Sequence, residues 1–258
     1  MTSADGQATE GQYGLPYAFA SSRNEWVEHT GKVPVGYWRS VGHSLNAFAV
    51  ESAIDELAAL AAKDPMEFRK ELMADHPRAL AVIEAADAMS QWRHSLGSGR
   101  AWGMAFSEAF GSLVCQVVEI SGTDTSINVR RVACVIDCGN AINPGSVEMQ
   151  MQGGIIHGLN AALYGGQSFV AGAPQVANFN QLKFLRVKDA PNVEVHIIES
   201  GEPLGGAGEP GVPPIAPAVA NAYFQLMGKR LRTLPFFSSE ITGVDSKPEI
   251  IFKGSFED

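Results

Sequence analysis

Hydrophobic and polar positions change period along the chain, and each change marks a new element. From Ala47 to Ala62, Val50, Ile54, Leu57 and Ala61 recur at spacings of 4, 3 and 4, the stripe of an amphipathic helix, with Glu51, Asp55 and Glu56 mostly off it. Asp64-Pro65-Met66-Glu67 then reads as a second helix start. Asp64 can accept from the first free N–H groups, Pro65 suits the first helical position, and Glu67 stands three residues after the cap. A third helix is expected from about Pro77 to Ala88, so residues 47–93 form a helical block. Residues 1–30 show no strong period and read as an extended, polar lead-in.

The period then shortens. Leu113–Ile120 and Ser126–Ile136 are rich in β-branched residues and flank Gly122-Thr123-Asp124, which predicts a hairpin. After the loop Asp137–Gly145, a helix capped by Ser146 carries Val147, Met151, Ile155, Leu159 and Ala162 on one side. Gly153, Gly154 and Gly158 inside it each cost about 1 kcal/mol relative to alanine. Three such costs within six residues predict that something packs against bare backbone. Strands are expected near Gln167–Val170 and Val193–Ile198, then a Gly/Pro loop from Gly201 to Pro214. The last helix, about Ile215–Met227, turns Ile215, Val219, Ala222 and Leu226 to one face and ends at Gly228. The sum is an α+β chain of mixed sheets with packed helices.

Composition narrows the function. The chain has 258 residues, 45% of them hydrophobic and 18% charged, enough to bury a sizeable core. A net charge of −9 argues against a nucleic-acid or anionic-membrane partner. No apolar run approaches the roughly 20 residues of a membrane span, and the polar, acidic start MTSADGQATEGQYG is unlike a signal peptide. Three cysteines cannot build a disulfide framework.

Four segments invite chemical readings. Gly206, Gly208 and Gly211 match G-x-G-x-x-G, but Pro210, Pro213 and Pro214 disrupt the tight strand–turn–helix that a dinucleotide site needs. Glu209 in the same loop is a lone carboxylate among glycines and prolines, a placement suited to a general base. Gly42-His43-Ser44-Leu45-Asn46 is one residue short of the nucleophile elbow, which would make Ser44 a hydrolase nucleophile. Cys134 and Cys138, with Cys115, lack the further close ligands of a zinc or iron–sulfur site and read as small buried residues, and His157 reads as a packed or surface side chain. Gln150 and Gln152, beside bare glycine backbone, could donate to an oxo or carbonyl group or be plain surface amides.

In order and spacing, these segments resemble the molybdenum hydroxylases, the xanthine dehydrogenase/aldehyde oxidase family, in the isoquinoline 1-oxidoreductase β-chain type. The likeness runs from about residue 12 to near the end. It is carried by Pro34-Val35-Gly36-Tyr37-Trp38-Arg39-Ser40-Val41-Gly42-His43-Ser44, by Glu51–Leu57 with Lys63-Asp64-Pro65, by Asp137-Cys138-Gly139 through Asn143-Pro144 to Gln150-Met151-Gln152-Gly153-Gly154, and by Gly206–Ala218. Gln152 replaces the acidic residue common in the family at that position.

The resemblance implies the C-terminal portion of that family's molybdenum-binding domain. Residues 1–30 would be a lead-in, 31–93 a helical segment, and 94–258 an α+β molybdopterin-binding segment with the catalytic loop at 201–214. It further implies oxidation of an aldehyde or N-heteroaromatic carbon, with water as oxygen donor and Glu209 as general base. Gln150 would lie at the cofactor, with Arg39, Gly42, Gly153, Gly154 and Gly208 lining it. That cofactor would be a molybdenum–pterin group, in the cytosine dinucleotide form. No protein side chain is implied as a metal ligand.

Large subunits of the family are much longer, and their upstream glycine-rich segments are not in this sequence. An N-terminal molybdenum-binding chain or upstream region is therefore expected as partner, together with an iron–sulfur subunit carrying [2Fe-2S] clusters. A non-catalytic assembly subunit is the alternative. Both a periplasmic exported complex and a cytoplasmic one fit.

Overall fold

The computed structural model describes residues 5–29, 31, 33–92 and 94–237. The outer ends of the 1–30 and 94–258 segments lie outside the described residues. The chain runs through three helices, α1 (Val41–Leu60), α2 (Pro65–Leu72) and α3 (Pro77–Ser90), then strands β1 (Arg100–Ala109), β2 (Ser112–Thr123) and β3 (Ser126–Asp137). After α4 (Pro144–Tyr164) come two short strands, β4 (Phe169–Val170) and β5 (Ala173–Pro174), then β6 (Asn192–Ile198) and α5 (Ile215–Met227). Among the described residues, no helix is long and apolar enough to cross a membrane.

The main sheet has the order β1-β2-β3-β6. Its first three strands are antiparallel neighbours, and β6 joins β3 in parallel, so the sheet is mixed. It forms the middle of three layers. Leu113, Cys115 and Val117 of β2 face Met66, Met73, Val82 and Ile83 of the α2–α3 layer. Val114, Val118 and Ile120 face Met151, Ile155 and Leu159 of α4 and Ile215, Ala218 and Val219 of α5. Ser112–Ile120 is therefore buried on both sides, which is why its sequence is an almost unbroken apolar run with one internal glutamine and one glutamate. The hydrophobic pattern does not announce β1: its glycine, serine and charged positions mask a strand whose inner residues are buried. Gly103 explains part of that composition, because a Cβ there would meet the Ala222 backbone nitrogen of α5 at 2.2 Å.

Asp64 caps α2 as expected, its Oδ1 accepting from the backbone of Met66 at 2.9 Å and Glu67 at 3.1 Å. The cap of α4 is a correction. Asn143 takes that place, accepting from Ser146 N at 3.0 Å, and Ser146 lies inside the first turn. The Asn143 side chain reaches that N–H while its backbone is still extended, leaving Pro144 at the first helical position.

The expected stripe of α1 is also corrected. Leu57 is exposed, whereas Glu51 and Asp55 are buried. Two arginines bring them inside. The fully buried Arg69 donates to Glu51 Oε2 at 2.9 and 3.1 Å and to Pro65 O at 3.2 Å, and Arg230 reaches Asp55 Oδ2 at 2.5 Å. Tyr17 donates its hydroxyl to Glu51 Oε1 at 2.6 Å, and Phe106 N donates to Oε2 at 3.0 Å. Asn221 of α5 donates to Glu51 O and Met104 O. One network thus ties the lead-in, α1, α2, β1, α5 and the chain beyond it. Burial alone would strip the charge from Arg69, but the facing Glu51 carboxylate keeps it ionised well above the ordinary value. Replacing Arg69 by methionine leaves Glu51 buried without its cation, so Arg69→Met should cost about 3–5 kcal/mol of stability, read as a lowered urea midpoint.

The three cysteines are buried and free. Among the described residues, no group of three or more His, Cys, Asp or Glu side chains could hold a metal ion. Burial pushes the Cys134 thiol up to about 12 and raises Cys115 as well. The folded chain then keeps those protons where the unfolded chain releases them, above an ordinary thiol value of about 8.5. Fewer protons on the unfolded chain mean that stability falls as pH rises through that window. Urea unfolding from pH 8 to 10 should show this loss. Ellman's reagent at pH 8 should label Cys115 and Cys134 only once the chain is unfolded.

Candidate active site

The Gly/Pro loop between β6 and α5 is fixed along its length by the sheet and by α4. Gly205 N donates to Cys138 O at 3.0 Å, and Gly206 N donates to Phe110 O at 2.8 Å. Ser112 Oγ donates to Gly206 O at 2.6 Å. Further along, Gln116 Nε2 donates to Gly211 O at 2.8 Å from the buried centre of β2. The one amide in an apolar strand is thus an anchor for the loop.

Asp137, at the end of β3, sets the start of the same loop. Its Oδ1 accepts from Gly139 N at 2.9 Å and Ser200 Oγ at 2.8 Å, while Arg78 of α3 donates to both carboxylate oxygens at 2.8 and 3.0 Å. Burial would raise this carboxyl, but the hydrogen bonds from Arg78, Gly139 and Ser200, with the Arg78 charge, hold it below the usual range. Gly139 adopts φ 76°, and a Cβ there would strike Glu202 O at 2.4 Å.

The glycines of α4 divide into two kinds. At Gly154 a Cβ would stand 3.3 Å from Gly211 Cα, and at Gly158 it would stand 2.6 Å from Ile215 Cγ2. Their bare faces therefore let the loop and the start of α5 lie directly on the helix. Gly153 has nothing within 4 Å of its Cβ position, and Gly208 in the loop is equally open. Gly42 is the opposite case: its Cβ would meet Gln7 O at 2.0 Å, and its N–H donates to Glu10 Oε2 at 3.3 Å. Gly42 and Gly154 thus face protein, while Gly153 and Gly208 face open space.

Arg39 closes the site. Its Nε donates to Gly208 O at 2.8 Å, with Nη2 on the same oxygen, and Nη2 donates to Gln150 Oε1 at 3.0 Å. Ser40 N donates to Glu209 Oε1 at 3.0 Å, and Ser40 Oγ donates to Glu209 O at 2.6 Å. Arg39, Gln150, Gly208 and Glu209 therefore meet at one place, although they stand on three distant stretches of sequence. Glu209 is half-buried and Gln150 is exposed. Trp38 stacks on His157 at 4.8 Å with an interplanar angle of 27°. Partial burial lowers the His157 imidazole below its ordinary value, and the nearby Arg39 charge adds to this.

The other readings meet obstacles. Ser44 lies in the first turn of α1, and its hydroxyl donates to Val41 O at 2.8 Å. The elbow needs a strand before it, and residues 33–40 form none. The G-x-G-x-x-G loop follows β6 after several residues and packs on α4, unlike the tight turn of a dinucleotide site. Sequence reasoning missed Ser40, Gln116 and the Asp137–Arg78 pair. Only Gln116 carried a local signal, as an amide inside an apolar run.

The donor set can be tested against a molybdenum–pterin group. Such a flat, polar cofactor needs amide donors beside backbone that it can approach closely. Gln150, Arg39 and the open faces of Gly153 and Gly208 meet that need on one side of the loop.

Comparison with known proteins gives the family. The family model described as molybdopterin cofactor-binding domain matches residues 28–191. The beta chain of isoquinoline 1-oxidoreductase from Brevundimonas diminuta is 34% identical over 79% of this chain and 27% of its own length. A nicotinate dehydrogenase subunit from Pseudomonas putida is 29% identical over 88% of this chain and 21% of its own. The chain spans less than a third of these relatives. Quinoline 2-oxidoreductase from Pseudomonas putida 86 shares the fold, with a TM-score of 0.65 at 13% identity over 78% of this chain and 52% of that one. An aldehyde oxidoreductase from Desulfovibrio desulfuricans superposes with a TM-score of 0.58 at 14% identity, over 77% of this chain and 40% of that one. The chain belongs to the molybdopterin cofactor-binding domain family of the molybdenum hydroxylases.

Proposed function

We propose that this chain supplies the base-bearing wall of a molybdenum hydroxylase active site that oxidises an aldehyde or N-heteroaromatic carbon with water as oxygen donor. The convergence of Arg39, Gln150, Gly208 and Glu209 carries the reading. The cofactor, a molybdenum–pterin group in its cytosine dinucleotide form, supplies a two-electron oxidant when bound. The chain's own residues do the rest. Ser40 holds Glu209 Oε1, which leaves Oε2 to take the proton that the oxygen nucleophile gives up. Arg39 fixes the Gly208 carbonyl and the Gln150 amide, so that the amide N–H₂ group is free to point at the cofactor. Gly153 and Gly208 give close approach to backbone, while Gly42 and Gly154 set the spacing of the segments behind it.

The relatives are named as parts of multi-chain enzymes, and this chain covers under a third of each, so the cofactor is shared with an N-terminal molybdenum-binding chain or region. In this reading electrons leave through [2Fe-2S] clusters on an iron–sulfur partner.

In the assembled complex, Glu209→Gln should lower turnover by roughly 10²–10⁴-fold while molybdenum per complex, by elemental analysis, stays unchanged. Wild-type turnover in that variant would end the base assignment. A complex that never carries molybdenum or pterin would favour a non-catalytic assembly role instead. Gly153→Leu separates stability from binding. Removing an exposed helical glycine should stabilise the helix by about 0.5–1 kcal/mol, yet the new side chain fills the open face, so the cofactor-free chain should melt higher while molybdenum bound in the assembled complex falls.

A further inference from the structure

Ser40 stands where a helix cap belongs and does not cap. It precedes α1, yet its hydroxyl bonds none of that helix's free N–H groups, the usual service of a serine at this position. The hydroxyl instead donates to Glu209 O at 2.6 Å, and the backbone N–H donates to Glu209 Oε1 at 3.0 Å. Both ends of one glutamate, main chain and carboxylate, are thus gripped by one residue. Ser40 is 0% exposed, which shields the donor side of both bonds.

The backbone is bent to make this grip. Ser40 has φ 75° and Val41 has φ 47°. Two successive non-glycine residues in the left-handed region are unusual, and for a β-branched residue the conformation is an outlier. Such geometry persists only where its surroundings over-determine it. Here the surroundings are visible on both sides. Val41 N donates to Trp38 O at 2.8 Å, Arg39 holds Gly208 O, and Gly42 is pressed against Gln7. On the loop side, Glu209 O also accepts from Val212 N at 3.0 Å, so Ser40 closes the turn that presents the carboxylate.

We infer that Ser40 is a positioning residue, its strained turn serving to aim the Glu209 carboxylate and to lock the 209–212 turn that bears it. The inference rests on the reading of Glu209 as the base. An ordinary helix start with asparagine or glycine at this position would be easier to build, and the retained strain finds its use in the two bonds to Glu209.

The experiment compares Ser40→Ala and Ser40→Gly with Glu209→Gln in the purified holoenzyme complex, with isoquinoline, nicotinate and benzaldehyde as probe substrates and a dye as electron acceptor. Ser40→Ala keeps the backbone N–H and loses the hydroxyl, while Ser40→Gly also relaxes the backbone. Both should lower kcat by roughly 10–100-fold through misplacement of the base, with KM within about twofold, the split expected when an interaction acts in the transition state. Ser40→Gly should do so with no loss of melting temperature, which separates aiming from stability. Independently of activity, hydrogen exchange at the Val212 amide should quicken in both variants. If Glu209→Gln is inactive while both Ser40 variants keep wild-type kcat and exchange, the positioning role is overturned and the base stands. If Glu209→Gln remains fully active, the base reading falls, and the positioning role in catalysis falls with it.

Discussion

Contact of backbone on backbone between α4 and the loop before α5 is the constraint on which the rest of this structure depends. Gly154 and Gly211 approach so closely that a Cβ on either would crowd the other segment, and Gly158 admits Ile215 in the same way. The helix accepts glycine at a cost of about 1 kcal/mol per position, and what it gains is a loop seated directly on it. Once the loop is seated, Glu209, Gly208 and Gln150 are neighbours, and Arg39 needs only to span them. A side chain at Gly154 would crowd Gly211 of the loop, and one at Gly158 would strike Ile215 Cγ2 and crowd Val212 O.

The buried ion network serves the same end from farther away. Arg69, Glu51, Asp55 and Arg230 hold α1 against α2, β1 and the chain after α5, and Tyr17 draws the lead-in onto that core. Since α1 begins immediately after Ser40, the position of its first turn decides where the Ser40 N–H points. Burying four charges is worth little net stability compared with an apolar core. The Asp137–Arg78 pair holds the opposite end of the loop, so the loop is fixed at both ends before Glu209 is reached.

One face of this arrangement is buried and the other is exposed. The anchors of the loop are buried, while Gln150, Gly153 and Gly208 lie exposed on a common side, next to Trp38 stacked on His157. An exposed amide and bare backbone, presented together on a rigid frame, suit a flat polar ligand.

Much of this was legible in the residues themselves. Apolar spacing placed α4, α5 and most of α1, the Asp64-Pro65 cap placed α2, and β-branched runs around Gly122-Thr123-Asp124 placed the β2–β3 hairpin, although the buried face of α1 differs from the expected stripe. The glycines of α4 suggested that something packs against bare backbone, which holds at Gly154 and Gly158 but not at Gly153, whose face is open. What no local pattern could give was which segments meet. β1 was hidden because its composition answers to α5 lying on Gly103, a contact made across more than a hundred residues. Glu51 and Asp55 read as surface charges because their cations, Arg69 and Arg230, are distant in sequence. Ser40 entered only as one residue of the Pro34–Ser44 segment and took no role of its own, since its partner stands 169 positions away. Periodicity is written by burial of neighbours along one element, and so it belongs to the sequence. The aim of one N–H at one carboxylate depends on how separate elements pack together, and only the tertiary structure settles it.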